Sequence, residues 1–362
     1  MNRKEFIKIC GVLGIGIPVL GTANGCKKDK LPVKKVIIIG AGAGGLSAGY
    51  LLAQKGIDFE ILEASSVYGG RMKINTDFAD FPIPLGSEWI ETGTGIFDEI
   101  VNDGSVQVNL TTIPDSPDHK FVNYSWFNFF EDYVVPSVTD NVQFNTIVEN
   151  INYQGDEVIV TTQNGQHTAD RVIVAVPLRI LQDGDITFLP TLPQAKQNAI
   201  ADMRVWEGFK AFFEFTDKFY DDMQFDITPE TDGEKWYYDA AFGQSSSKNI
   251  LGLFVVGTPA TDYTERTGND LRDFILAELD GIYNGQATQK YVKHIVQNWN
   301  DEPFIKGGYM TDYADYSKVA KLGESVDDKV YFSGGAYTDG EDWVSVHTAA
   351  QSAKVAIDNM VG

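Results

Sequence analysis

Val36-Ile37-Ile38-Ile39-Gly40-Ala41-Gly42-Ala43-Gly44-Gly45-Leu46-Ser47-Ala48 joins an apolar, β-branched run to a cluster of glycines and a helix-forming segment. A run without polar alternation predicts a strand buried on both faces of a parallel sheet. It breaks at Gly40-x-Gly42-x-x-Gly45, and small and apolar residues at helical spacing follow as far as Lys55. Gly56 suits a helix C-cap, and Ile57–Leu62 predicts a second strand ending on Glu63. This order is that of a dinucleotide-binding unit. Gly40 permits the tight turn, Gly42 lets backbone approach a pyrophosphate, and Gly45 lets helix and strand pack closely, with the helix N-terminus facing the phosphates. Glu63 is placed to accept hydrogen bonds from a ribose diol. Directly after it, Gly69-Gly70-Arg71 offers backbone and a forked guanidinium to the same pyrophosphate.

The chain of 362 residues has room for two domains. Its formal net charge of −22 argues against nucleic acid, whose phosphates it would repel. The same acidity either steers cationic small molecules inward or serves solubility. Cysteine occurs at Cys10 and Cys26 alone, which excludes a disulfide framework, a thiolate metal site, a cysteine nucleophile and a thioether-linked cofactor in the body of the chain. His119, His167, His294 and His347 are scattered without ligand spacing, so no metal site is expected.

Residues 1–26 read as an export signal: Arg3, Lys4 and Lys8 precede an apolar run from Ile9 to Ala23 that glycines and Pro18 interrupt. Asn2-Arg3-Lys4-Glu5-Phe6 resembles a twin-arginine motif with lysine in the second basic place. Ala23-Asn24-Gly25-Cys26 is a loose lipoprotein box, so the exported protein is expected either free in the periplasm or anchored to a membrane through Cys26. Residues 27–34 form a polar linker.

Later segments add strand and helix signals. Ile147–Ile151, Glu157–Thr162 and Ala169–Leu178 read as short strands joined by Gln154-Gly155-Asp156 and Asn164-Gly165 turns. Pro193–Met203 predicts a helix, Phe209–Phe215 a strand, and residues 265–283 an amphipathic helix whose apolar face is core. Lys210 interrupts the aromatic strand, either as a snorkelling lysine on a sheet edge or as a functional group.

The run Val36–Met72 resembles the flavin-dependent amine oxidase family, which includes monoamine and polyamine oxidases. The resemblance covers roughly residues 33–95, 142–220 and 291–357. It implies an α/β fold, with a Rossmann-like FAD-binding domain (35–95, 142–190 and 300–362) and an interleaved α+β substrate-binding domain (96–141 and 191–299). FAD would be bound non-covalently by Gly40, Gly42, Gly45, Glu63, Gly70 and Arg71. Val148, Trp299, Gly334 and Val346 fall on family positions that also contact the cofactor, and the helix starting at Val346 would direct its dipole at the flavin pyrimidine. Lys210 matches the family lysine that holds a water against flavin N5, and Tyr309 matches one aromatic wall of the substrate cage. The second wall falls at Ser345, or at Trp343 if the turn is shifted. Glu91 is either a solvated loop acid or the acid that faces substrate amines in the polyamine-oxidising branch. Gly335 replaces a glutamate common in the family.

The implied reaction is oxidation of an amine C–N bond by hydride transfer to flavin N5, which leaves an imine that hydrolyses, while dioxygen reoxidises the flavin and is reduced to hydrogen peroxide. A cationic di- or polyamine suits the acidic surface, with a monoamine as the other option. The family's amino-acid oxidases carry an arginine where this chain has Ser87-Glu88-Trp89, leaving Arg204 as a carboxylate-binding candidate. Competing readings are a non-catalytic flavin-binding protein and an FAD oxidoreductase of the same fold acting on an amino acid or a non-amine.

Overall fold

Lys35–Ile39 forms β1, Ala43–Lys55 forms helix α1, Asp58–Leu62 forms β2 and Arg171–Val174 forms β3 in this computed structural model, which describes residues 32–114, 116–225, 232–310, 316–338 and 344–361. Residues 1–26, for which the sequence predicts an export signal, and Trp343 therefore lie outside the described residues. β1 lies between β2 and β3 in a parallel sheet, Ile37 standing opposite Glu60 on one side and Val172 on the other. Val330–Phe332 extends the sheet beyond β3, and Val142–Gln143 beyond β2. The β-branched run is buried on both faces because alternate side chains enter different cores. Val36 and Ile38 join one apolar cluster, and Ile37 and Ile39 another.

α1 crosses β1 at very short range. A Cβ on Gly45 would stand 1.9 Å from the Gly40 carbonyl oxygen, so no larger residue fits unless the helix moves. Gly56 ends α1 in the left-handed conformation, as its sequence position suggested. The C-terminal helix α2, Val346–Val361, covers the same face of the sheet, with Leu46 and Leu52 of α1 sharing a cluster with Ala353 and Ile357.

Residues 148–169 form an antiparallel three-stranded meander that leads back into β3. Residues 96–141, expected in the substrate lobe, bond to residues 240 and 244 and also contribute side chains to the first sheet's core. Phe97, Phe121, Trp126, Phe129 and Phe130 are buried with Val36, Ile38 and Ile61 in the core of the first sheet. The helix Gln194–Asp202 likewise packs through Ala199 and Ile200 on the opposite face.

The second sheet comprises β4 (Gly208–Phe215), β5 (Gly233–Asp239), β6 (Asn249–Gly257) and β7 (Tyr291–Asn298), with Met223–Phe225 outside β5. All its pairings are antiparallel, and β4 is held between β6 and β7. Strand alternation then divides its residues. Phe209, Ala211 and Phe213 pack against Leu271, Ile275 and Leu279 of the amphipathic helix Gly268–Ile282. Phe212 joins the opposite cluster with Phe78, Phe81, Ile83 and Leu85, and Lys210 shares that parity. The 78–90 segment thus floors the second sheet and returns to the first.

Replacing Gly45 by alanine sets a Cβ against backbone on both elements, so Gly45→Ala is expected to cost about 2 kcal/mol or more in unfolding free energy. Chemical denaturation of variant and wild type measures it directly.

Candidate functional site

A cavity of about 580 Å³ lies between the glycine loop after β1 and the floor of the second sheet, within the size range of cofactor and ligand sites. Its nucleotide end is shaped by backbone. The turn after β1 is closed by Glu63, whose Oε2 accepts from the Ala41 N–H at 2.6 Å while Oε1 accepts from the Ser65 N–H at 2.8 Å. Each carboxylate oxygen keeps a second lone-pair direction, so the side chain can still accept from a ribose hydroxyl. Gly42 stands at the N-cap of α1, where a Cβ would meet nothing within 4 Å. That open space beside the first backbone N–H groups of a helix is where a diphosphate would fit. Gly40, Gly70, Arg71, Val148, Trp299, Gly334 and Val346 also line the cavity. Gly45 does not line it; its work is the helix–strand contact.

Several of these residues are held by identifiable bonds. Arg71 donates from its guanidinium to the Gly308 carbonyl, beside Tyr309. Trp299 donates from its indole N–H to Leu85 O at 3.0 Å. The Gly334 amide donates to Ser352 Oγ of α2 at 2.7 Å. Ser345, the family's second aromatic position, instead engages the first turn of α2. Its amide donates to Thr348 Oγ1 at 2.9 Å, and its Oγ accepts from the Thr348 amide at 3.4 Å. That reciprocal cap gives the serine a structural reason and brings the α2 N-terminus to the cavity through Val346 and Ala349.

Lys210 and Tyr309 line the same cavity. Lys210 is not a snorkelling edge lysine: β4 has neighbours on both sides and the residue is 2% exposed. Its ammonium donates to Glu88 Oε2 at 2.8 Å and to Pro84 O at 3.1 Å, so two of its three donors are committed to protein rather than to water. Burial pushes the Lys210 ammonium below the ordinary lysine value, against the pull of Glu88. Tyr309 packs against Trp206 with ring centroids 5.6 Å apart.

Further aromatic surface comes from residues that sequence reasoning passed over. Trp89, Trp236 and Phe254 line the cavity and touch one another, with ring centroids 5.2 to 5.6 Å apart. Trp236 and Phe254 face each other across β5 and β6 because those strands pair at that register. Glu234 lines the cavity two residues before Trp236, on the same side of β5. Burial alone raises its carboxyl above the ordinary glutamate value, and among the described residues it has no ion-pair partner. Glu91 lines the cavity from an exposed position at its rim. Arg204 does not line it; its guanidinium pairs with Asp232 near the surface. Among the described residues no group of three or more His, Cys, Asp or Glu side chains could hold a metal ion.

Comparison with known proteins agrees with this geometry. Residues 131–360 match the family model for flavin containing amine oxidoreductases, and residues 38–102 match the NAD(P)-binding Rossmann-like domain. Lysine-specific histone demethylase 1B of Mus musculus is 26% identical over 204 residues, which cover 54% of this chain and 25% of the demethylase. Polyamine oxidase 4 of Oryza sativa subsp. japonica is 28% identical over 227 residues, covering 60% of this chain and 45% of the oxidase. The matched stretches thus span less than half the length of these curated relatives. Wild-type putrescine oxidase bound to putrescine superposes with a TM-score of 0.74 over 91% of this chain and 99% of that chain, at 14% identity. This is a likeness of fold: a Rossmann-like domain combined with an amine oxidase substrate domain.

Gly42→Asp separates folding from binding. Aspartate is a favoured N-cap, so unfolding stability is expected to stay within about 0.5 kcal/mol of wild type, while its carboxylate would repel a diphosphate placed there and is expected to weaken flavin binding at least ~100-fold. Denaturation curves and flavin titration of the apoprotein measure the two effects separately.

Proposed function

The chain belongs to the flavin containing amine oxidoreductase family, and on that premise we propose that it oxidises the C–N bond of a cationic di- or polyamine with dioxygen as electron acceptor. The observation that carries this reading is one cavity whose lining includes the glycine loop and Arg71 together with Lys210, Tyr309 and a wall of tryptophan and phenylalanine.

The open space at Gly42 and the acceptor capacity of Glu63 suit FAD at the nucleotide end. Gly40, Gly42, Gly70, Arg71 and Glu63 would hold its diphosphate and ribose, and Val148, Trp299, Gly334 and Val346 would flank the rest. Attachment is non-covalent with respect to sulfur, since residues 27–362 contain no cysteine. When bound, the flavin supplies the two-electron acceptor.

The chain's own residues then do the positioning. Tyr309, with Trp89, Trp236 and Phe254, encloses an amine among π faces that attract cations and exclude water. Glu234 and Glu91 offer carboxylates for a second ammonium, which would give the half-buried Glu234 a charge partner. Lys210 presents an ammonium for proton handling at the cavity wall. A net charge of −22 adds long-range attraction for cationic substrates. Export directed by residues 1–26, to a form either free in the periplasm or anchored through Cys26, is part of the proposal on the strength of their basic and apolar pattern and the Ala23–Cys26 box.

Protein reconstituted with FAD is expected to bleach anaerobically with putrescine or spermidine and to release hydrogen peroxide in air. A preparation that stays yellow with every amine would instead be a flavin-binding protein without this turnover. Glu234→Gln is expected to raise KM for a diamine at least ~10-fold more than for a monoamine of equal chain length, read from steady-state peroxide release.

A further inference from the structure

Lys210 belongs to a buried cluster that the family reading does not require. Glu88 leaves the 78–90 floor segment and is 4% exposed. Its Oε2 accepts from Lys210 Nζ at 2.8 Å and from the Tyr238 hydroxyl at 2.6 Å. Its Oε1 faces Lys120 Nζ at 3.4 Å, close enough for charge pairing though it makes no hydrogen bond. Lys120 comes from the strand His119–Phe121, is 5% exposed, and donates to Ala240 O at 2.6 Å. Register explains its position: Lys120 pairs with Trp89, the residue after Glu88. The rings of Trp89, Phe212, Tyr238 and Phe254 surround Lys210, with centroids 5.0 to 5.9 Å from its nitrogen.

Two ammonium groups therefore share one carboxylate in a nearly dry site. An unpaired charge in such a place is costly, so the protonation of the member nearest the cavity depends strongly on its neighbours. Lys210 is that member, since Lys120 does not line the cavity. The charged groups acting on Lys210 are Glu88, which favours the ammonium, and Lys120, which opposes it. The other ionisable groups around it are Tyr238 at Glu88, and Glu91 and Glu234 in the cavity wall.

We propose that Glu88 and Lys120 are positioning residues that act on Lys210 in opposite senses, Glu88 anchoring its ammonium in charged form at the cavity wall and Lys120 holding that charge in check. The proposal rests on the reading of Lys210 as the residue that works at the flavin side of the cavity. Glu88 also remains ionised itself, because the two lysines and the tyrosine hold its carboxyl below the ordinary glutamate value despite burial. The arrangement makes Lys210 adjustable. Burial lowers the Lys210 ammonium most, Glu88 opposes that, and Lys120 adds to the effect of burial.

The direct test follows Lys210 by NMR in protein labelled at lysine Cε, with Lys210→Met assigning the signal. Glu88→Gln is expected to lower the titration midpoint of Lys210 by at least one pH unit, about tenfold in the protonation equilibrium. Lys120→Met is expected to raise it, and Glu88→Asp to restore it in part. In the FAD-loaded enzyme the limb of kcat/KM that follows Lys210 should move in the same two directions. Midpoints that stay in place, or that move in the same direction in both variants, would overturn the proposal. Should Glu88→Gln not fold, Lys120→Met alone still gives a signed result. The NMR titration needs no turnover, so an enzyme inactive on every amine would refute the substrate reading while leaving this result intact.

Discussion

The contact between Gly45 and the carbonyl of Gly40 sets the geometry on which the rest of the molecule depends. With 1.9 Å available to a Cβ, α1 can lie directly on β1, and its N-terminus opens onto the cavity at Gly42. Glu63 reinforces that turn by accepting two backbone N–H groups, one from each flank of the nucleotide end. The proposed diphosphate site would arise from the closeness of two regular elements. Backbone donors placed this way cost little to reorganise when an anion arrives.

The second sheet supplies the opposite wall by a different principle. β4 is central and apolar on both faces, yet it carries Lys210 on the face that meets the 78–90 segment. Such a residue is tolerated because Glu88, Pro84 O and a ring of aromatics receive it. An overall acidic chain thus keeps a locally cationic cluster next to its cavity. Long-range attraction for cations and a short-range positive group at the wall are compatible, because one acts through solvent and the other at contact distance.

Much of this was legible in the sequence. The glycine spacing with Glu63, the both-face burial of the β1 run and the α1 stop at Gly56 all rest on local rules, and the structure follows them. The helix at Gln194–Asp202 and the strand at Gly208–Phe215 also fall within a residue of expectation. Glu88 was passed over because its partners lie 122 and 150 positions away in Lys210 and Tyr238, beyond any periodic signal. Trp236 and Phe254 become cavity walls only through cross-strand register. The contribution of residues 96–141 to the first sheet's core is not legible in sequence, because their aromatic side chains sit on short elements without a sustained period. Ser345 reads as a missing aromatic until its capping of α2 is visible.

The most direct measurement is a crystal structure of the FAD-loaded protein with a bound diamine. The account predicts the diphosphate beside Gly42 and Arg71, and the isoalloxazine ring reaching the part of the cavity walled by Lys210 and Tyr309. A flavin seated elsewhere, or a ring turned away from both residues, would contradict it.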